Sequence, residues 1–123
     1  MPITYVIDRL HQRMVTHADG VLTFHDVDRH LDEEERERGL DLPELFDARG
    51  ARTDLTSAQV RRLVHRAAEM MRTVPLGPTA IVATDDTLYG MARMYAILAE
   101  HLGVSVEVFR DVDSAERWLN QVG

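Results

Sequence analysis

Polar residues that could form a binding site fall where three predicted strands end: Arg49, Arg52, Thr84, Asp85, Asp86 and Arg110. In a sheet of parallel strands, ligands bind in the crevice beyond the carboxyl ends of the strands, where helix N-termini supply free amide groups. Arginines beside such amides favour an anion, but Asp54 and Asp111 join Asp85 and Asp86 in this region and oppose a second negative charge. Two interpretations stay open, a ligand or partner crevice and a set of arginines paired with capping aspartates.

Catalysis at this crevice would need a convergent acid, base or nucleophile. Asp85 and Asp86 could be general acid and base, but consecutive residues point in different directions, and no nucleophile accompanies them. The sequence has no cysteine and no glycine-rich nucleotide-binding motif. We therefore expect a protein that is not an enzyme and has no cofactor, and we keep a small enzyme that uses the crevice as a second alternative.

The chain has six histidines, which could contribute to a metal site. His25, Asp28 and Asp32 share one face of a predicted helix, at spacings of three and four residues. Zinc sites usually need three or four convergent cysteine or histidine ligands, whereas these ligands are hard and are predicted to be exposed. We expect no metal site.

Thr56 and Ser57 begin the second predicted helix. Thr56 has the position of an N-cap, Gln59 closes a capping box, and Leu55 with Val60 forms a hydrophobic staple. A phosphate on Ser57 would lie over the free amides at the positive end of the helix, where an anion is stabilised by roughly 0.3–1 kcal/mol. The two residues are a helix start in one interpretation and a phosphoacceptor site in the other.

The third predicted helix carries more apolar surface than one sheet face can cover. Gly90 lies in its first turn, where glycine costs roughly 0.5–1 kcal/mol relative to alanine, so that we expect a close approach by another group. The apolar surface has two interpretations. It packs in the core, or it forms an apolar pocket or a two-fold dimer contact. The residues concerned are Tyr89, Gly90, Met91, Met94, Tyr95 and Ile97.

The hydrophobic pattern predicts the elements that position these residues. The continuously apolar run at 80–83 is typical of a central strand covered on both faces, and two successive βαβ units require a parallel sheet with right-handed crossovers. The expected fold is α/β, an N-terminal β-hairpin followed by αβαβαβα in a largely parallel five-stranded sheet with four helices, in one domain over residues 1–123. Strands are predicted at 3–7, 14–17, 45–48, 80–83 and 104–109, and helices begin at Thr23 (ending near Gly39), at Thr56, at Asp85 or Asp86, and at Asp111 or Asp113.

Composition narrows the class of protein. The chain has 123 residues, of which 45% are hydrophobic and 28% are charged, as in an ordinary globular domain. Its formal net charge of -7 and its scattered arginines lack the electrostatic footprint of a nucleic-acid-binding protein. No apolar run reaches membrane-spanning length and no signal-peptide pattern is present. We expect a soluble, cytoplasmic protein that does not bind DNA or RNA.

The order of elements resembles that of the STAS superfamily, the anti-sigma-factor-antagonist-like domains, over nearly the whole chain. It is more closely similar to small stand-alone bacterial members of unknown function, some of them called STAS/SEC14-like. The segments that carry the resemblance are Ile3-Thr4-Tyr5, Gly20-Val21-Leu22-Thr23, Asp47-Ala48-Arg49, Tyr89-Gly90-Met91-Ala92-Arg93-Met94, Val108-Phe109-Arg110-Asp111 and Trp118-Leu119.

The resemblance implies a non-catalytic module that binds a protein partner. In the antagonists a phosphorylated Ser or Thr controls binding from the start of the helix after the third strand, where Thr56 and Ser57 fall. Their motif resembles Asp-Ser-Ser-Gly, while this chain has Asp54-Leu55-Thr56-Ser57-Ala58 and lacks the glycine. We expect a binding or regulatory module that acts through protein contacts, homodimer contacts among them. The alternative is a carrier or sensor of a small apolar or lipid-like ligand, which a pocket of roughly several hundred Å³ beside the third helix would favour.

Overall fold

The computed structural model describes residues 2–37 and 41–122. The predicted order, a hairpin followed by αβαβαβα, is confirmed. Gly39, which we expected to close the first helix, lies outside the described residues. The elements are β1 (Ile3–Asp8), β2 (Arg13–Leu22), α1 (Phe24–Arg36), β3 (Glu44–Thr53), α2 (Ser57–Met70), β4 (Thr79–Val82), α3 (Asp86–His101), β5 (Val106–Phe109) and α4 (Val112–Val122).

The strands form one mixed sheet in the order β1-β2-β3-β4-β5. β1 is antiparallel to β2, and each later neighbour is parallel, which confirms the predicted parallel arrangement of the last three strands. Every parallel crossover steps in the same direction across the sheet, so that right-handed connections place α1, α2 and α3 on one face. α4 packs alone on the opposite face, against β3, β4 and β5.

β2 and β3 are longer than their apolar runs predict, with ten residues each. They continue past the end of β4 as a two-stranded ribbon, and their register shifts between His17 and Asp19. Gly50 lies beside this shift, and a Cβ atom there would collide with the carboxylate of Asp19. Polar residues interrupt the hydrophobic pattern at this point, which is why the strands appear shorter in the sequence.

Each helix begins at a side chain that accepts a hydrogen bond from a first-turn backbone amide. Thr23 with Asp26 forms the predicted capping box of α1, and Thr56 with Gln59 forms that of α2. Asp85 accepts a hydrogen bond from the backbone N–H of Leu88 at the start of α3. Such caps satisfy amides that would otherwise lack partners. Because α1, α2 and α3 each follow a strand of the parallel part of the sheet, their N-termini lie beyond the carboxyl ends of those strands.

Alternation along the strands divides the core into two layers. Leu45, Ala80 and Val82 point towards α4, where they pack against Ala115 and Leu119. The residues between them on β3 and β4 point to the face that carries α1, α2 and α3. Among the described residues, no helix combines the length and the apolar character needed to cross a membrane.

Candidate functional site

A cluster of three buried ionisable side chains lies between α1 and the sheet. His30 and Glu34 are one helical turn apart on α1, and Glu44 is the first residue of β3. Nε2 of His30 lies 2.5 Å from Oε1 of Glu34 and 2.9 Å from Oε2 of Glu44. The imidazole side chain is 3% exposed and each carboxylate side chain is 8% exposed. We call these residues the His-Glu-Glu cluster.

Neighbouring elements fix the orientation of these side chains. The hydroxyl of Thr16 on β2 donates a hydrogen bond of 2.6 Å to Oε2 of Glu44. The rings of Tyr5 and Phe46 approach the imidazole edge-on, with centroids 5.6 Å and 5.7 Å from its own. The cluster is therefore held by α1 and by three neighbouring strands.

The sequence carries a signal for this cluster that we did not recognise. His30 and Glu34 follow Val27 by three and seven residues, which is the spacing of the buried stripe of α1. Glu34 also lies in the charged run that begins at Asp32, and a run of this composition is typical of a solvated helix face. Glu34 belongs to that run but points into the protein.

Mutual interactions shift the pKa values of the cluster. Burial lowers the pKa of His30, but the hydrogen bonds and charges of Glu34 and Glu44 outweigh it and raise this pKa to about 10. Burial, reinforced by the charge of Glu44, raises the pKa of Glu34 to about 8. Burial also acts to raise the pKa of Glu44, but the hydrogen bonds from His30 and Thr16 hold it below its ordinary value.

A cavity of about 130 Å³ adjoins the cluster, between the sheet and α1, α2 and α3. His30, Glu34 and Glu44 form part of its wall, together with the side chain of Tyr95. Burial, followed by the charges of Glu34 and Glu44, raises the pKa of the Tyr95 hydroxyl. The rest of the wall is largely apolar and includes Val27, Phe46, Leu63, Ala67, Ile81 and Met91.

The predicted crevice lies at the other end of the sheet, where four of its residues form a connected network. The hydroxyl of Thr84 donates to the backbone carbonyl of Arg49 at 3.1 Å, and Nη1 of Arg110 donates to the carbonyl of Thr84 at 2.9 Å. Nη2 of Arg110 lies 3.0 Å from Oδ1 of Asp86. The guanidinium of Arg110 also stacks on the ring of Tyr89, 3.9 Å from its centroid.

Comparison with known proteins bears on the fold. The sequence matches no protein-family model and no curated protein. The structure is similar to that of an uncharacterised DUF3478-family protein from Shewanella loihica PV-4, which has a SpoIIAA-like fold. The two share 18% sequence identity over 95% of this chain and 93% of that chain, with a TM-score of 0.58. The fold is SpoIIAA-like. This confirms the predicted STAS-like architecture, and at this identity it shows the fold alone.

Within the SpoIIAA-like fold the two remaining crevice residues have separate positions. Asp85 caps α3, and Arg52 lies exposed on the ribbon where β3 continues past β4. The guanidinium of Arg49 does pair with an aspartate, but this is Asp47 rather than a capping residue, at 2.9 Å and 2.8 Å. These hydrogen bonds hold the pKa of Asp47 below its ordinary value.

The helical face considered for a metal ion is occupied by an arginine. Arg66 on α2 pairs with Asp28 at 2.7 Å and also contacts Asp32. The two aspartates therefore connect α1 with α2, while His25 is exposed.

Some of the site residues predicted on α2 and α3 lie at the surface, and others lie in the interior. Ser57 is exposed at the first residue of α2, directly after the N-cap Thr56. On α3 the structure places Met91 and Tyr95 in the cavity wall, buries Tyr89 and Met94 in part, and leaves Gly90 and Ile97 exposed. The two-fold dimer contact stays a prediction.

One expectation for α3 was wrong. We expect a close approach to Gly90 by another group, but among the described residues no atom outside its chain neighbours and the adjacent backbone of α3 lies within 4 Å of the position that a Cβ atom would take. The backbone there does not have a positive φ. Neither packing nor backbone conformation requires this glycine.

Proposed function

We propose that this domain binds a small, largely apolar ligand in the cavity between the sheet and its three helices, and acts as a carrier or sensor of that ligand. The observation that carries the proposal is the cavity itself, with its volume of about 130 Å³ and its largely apolar wall. An apolar cavity of roughly 150 Å³ in another protein stays dry and binds benzene or xenon. A ligand, by contrast with water, would regain the dispersion contacts that the lining residues lack.

The volume limits the class of ligand. Typical pockets for drug-sized molecules occupy roughly 300–1,000 Å³, well above the volume found here. A single aromatic ring or a short branched chain fits such a space, whereas a lipid acyl chain does not. Of the two ligand types expected from the sequence, the small apolar one is therefore the one that we propose.

The polar part of the wall would orient the ligand. Tyr95 offers a hydroxyl and the His-Glu-Glu cluster offers carboxyl oxygens, all within one wall. Ligand sites of this type combine apolar walls with a few convergent polar groups that set orientation and specificity. We expect a ligand with one polar group beside its apolar body.

Binding of toluene is the direct test, measured by ligand-detected NMR and by the thermal midpoint in the presence of EDTA. Ala67 is 2% exposed and lines the cavity, so that Ala67→Leu should fill the space and abolish binding. Ala58→Leu makes the same change at an exposed position on the same helix and should bind like the wild type. Equal binding by wild type and Ala67→Leu, or no binding by the wild type, would contradict the proposal.

A regulatory module that acts through protein contacts is our second proposal. The exposed Ser57 at the start of α2 favours it, because three residues of the same helix, Val60, Leu63 and Ala67, line the cavity. A phosphate at this position would thus act on an element of the ligand site. Mass spectrometry of the protein from its native cells, with Thr56 and Ser57 both monitored, tests for the modification.

A further inference from the structure

We propose that His30, Glu34 and Glu44 form a binding site for a divalent transition-metal ion such as Zn²⁺, with the remaining coordination positions open to the cavity. One ligand atom from each residue lies within 4.8 Å of the other two, and all three residues are buried. Imidazole nitrogen with carboxylate oxygen is a ligand set found for zinc and for other first-row transition metals. This site is separate from the face of α1 that carries the exposed His25 with Asp28 and Asp32.

The hydrogen-bond geometry supports an ion at the centre of the cluster. One carboxyl oxygen of Glu34 and one of Glu44 approach the same nitrogen, Nε2 of His30, at 2.5 Å and 2.9 Å. A single N–H cannot donate a linear hydrogen bond to both. A metal ion in place of that hydrogen would bind the nitrogen and one oxygen of each carboxylate. In a tetrahedral site, metal–ligand distances of about 2.0–2.2 Å require the two oxygens to move away from Nε2 by roughly 0.5–1 Å, which is a side-chain adjustment.

The second ring nitrogen bears on the charge that the ring can carry. Nδ1 of His30 is buried and has no hydrogen-bond partner among the described residues. If the ring is an imidazolium, this leaves a charged N–H unpaired in the core, which costs more than an unpaired neutral one. When Nε2 binds a metal ion, the N–H at Nδ1 stays unpaired, but the imidazole that carries it is neutral.

The charges of the cluster also favour a bound divalent cation. Within the cluster, two carboxyl groups face one imidazole, and each carboxylate side chain is 8% exposed. With both carboxyl groups ionised, a dication and a neutral imidazole bring the net charge of the site to zero. Buried charges are tolerated when they are paired or when they coordinate a metal.

The surroundings have the form of a metal site with an open position. The Thr16 hydroxyl donates to Glu44 at 2.6 Å, which is the outer hydrogen bond that orients a ligating carboxylate. His30, Glu34 and Glu44 all line the cavity. The protein thus supplies three ligands, and a water molecule or the polar group of a small ligand can complete the coordination, as in metal sites that act on a bound molecule.

Titration of chelator-treated protein with Zn²⁺ by calorimetry, and with Co²⁺ by visible absorption, tests the site. We expect one ion per chain. Glu34→Gln, Glu44→Gln and His30→Gln should each weaken binding by more than about 100-fold, and Thr16→Val by about 10–100-fold, the range for outer partners. His25→Gln, at an exposed position of α1, and Asp28→Asn, at the position that pairs with Arg66, should leave the affinity unchanged.

Circular dichroism and the thermal midpoint of each variant establish that it is folded before its affinity is compared. The wild type provides a measurement that needs no variant, because Zn²⁺ should raise its thermal midpoint and EDTA should reverse the rise. Unchanged Zn²⁺ affinity in folded His30→Gln, or a wild type that binds no ion, would overturn the site. The toluene experiment is carried out in EDTA, so that the two proposals can fail separately.

Discussion

Glu44 shows how strongly one buried side chain couples distant parts of the chain. It accepts a hydrogen bond from Thr16 and contacts Nε2 of His30, with 8% of its side chain exposed. Glu44→Ala would leave the buried Thr16 hydroxyl without its acceptor and His30 with Glu34 as its remaining carboxyl partner, so that the free energy of unfolding should fall by about 1–3 kcal/mol. Urea denaturation in EDTA measures this. Glu107→Ala on the exposed side of β5 should change stability by less than about 0.5 kcal/mol, and a similar loss in both variants would contradict the prediction.

Asp47 should make stability depend on pH in the acidic range. The hydrogen bonds from Arg49 lower its pKa in the folded state, so that its contribution is fully present above the unfolded pKa of about 3.9 and is lost as the pH falls through the folded value. Asp47→Asn should therefore be less stable than the wild type above about pH 5, by about 1 kcal/mol, and the difference should vanish towards pH 2. Urea denaturation across this range measures the difference, and Asp54→Asn controls for the lost charge.

At the scale of elements, substitution by alanine should have opposite effects on stability at two glycines. Gly90 lies within α3 with open space around it, so that Gly90→Ala should raise the free energy of unfolding by about 0.5–1 kcal/mol. Gly77 precedes β4, and a Cβ atom there would collide with the backbone carbonyls of Asp41 and Leu42. Gly77→Ala should therefore destabilise. Thermal and urea unfolding of the two variants test the pair, and destabilisation by Gly90→Ala would indicate an unseen contact on α3.

At the scale of the whole molecule, the two faces of the sheet are packed differently. One helix covers the first face, where Leu119 is 1% exposed in a continuous apolar cluster. Three helices cover the second face and border the cavity, whose wall includes Leu63 at 2% exposure.

This difference predicts unequal costs for one chemical change. Leucine-to-alanine substitutions in cores cost about 2–5 kcal/mol, depending on the contacts that are lost. Leu119→Ala should lie near the top of that range. Leu63→Ala should lie near the bottom, because part of its side chain already borders empty space. Urea denaturation of both variants measures the difference, and equal costs would mean that the cavity is filled or collapsed in solution.

The order of elements could be predicted from the sequence because its signals are local. Thr23 with Asp26, and Thr56 with Gln59, form their capping boxes within one turn of helix, and the apolar run at 80–83 shows its burial without reference to other segments. Right-handed crossovers then arrange the strands. The sequence also predicts that Arg49, Thr84 and Arg110 lie close together, since parallel strands end at a common edge of the sheet. Hydrogen bonds join the three residues in the structure.

The His-Glu-Glu cluster and the cavity depend on the tertiary structure. Glu44 reaches His30 only because of the register of β2 with β3 and the rotation of α1 about its axis. Neither quantity is encoded in a short segment, and one charged side chain among several in a run gives no sign of which member points inwards. The volume of the cavity depends on the distances at which three helices pack over the sheet. Residue types alone do not determine these distances. Local patterns thus determined the elements and their order, whereas the candidate site arose from contacts between side chains far apart in the chain, which exist only once the chain has packed.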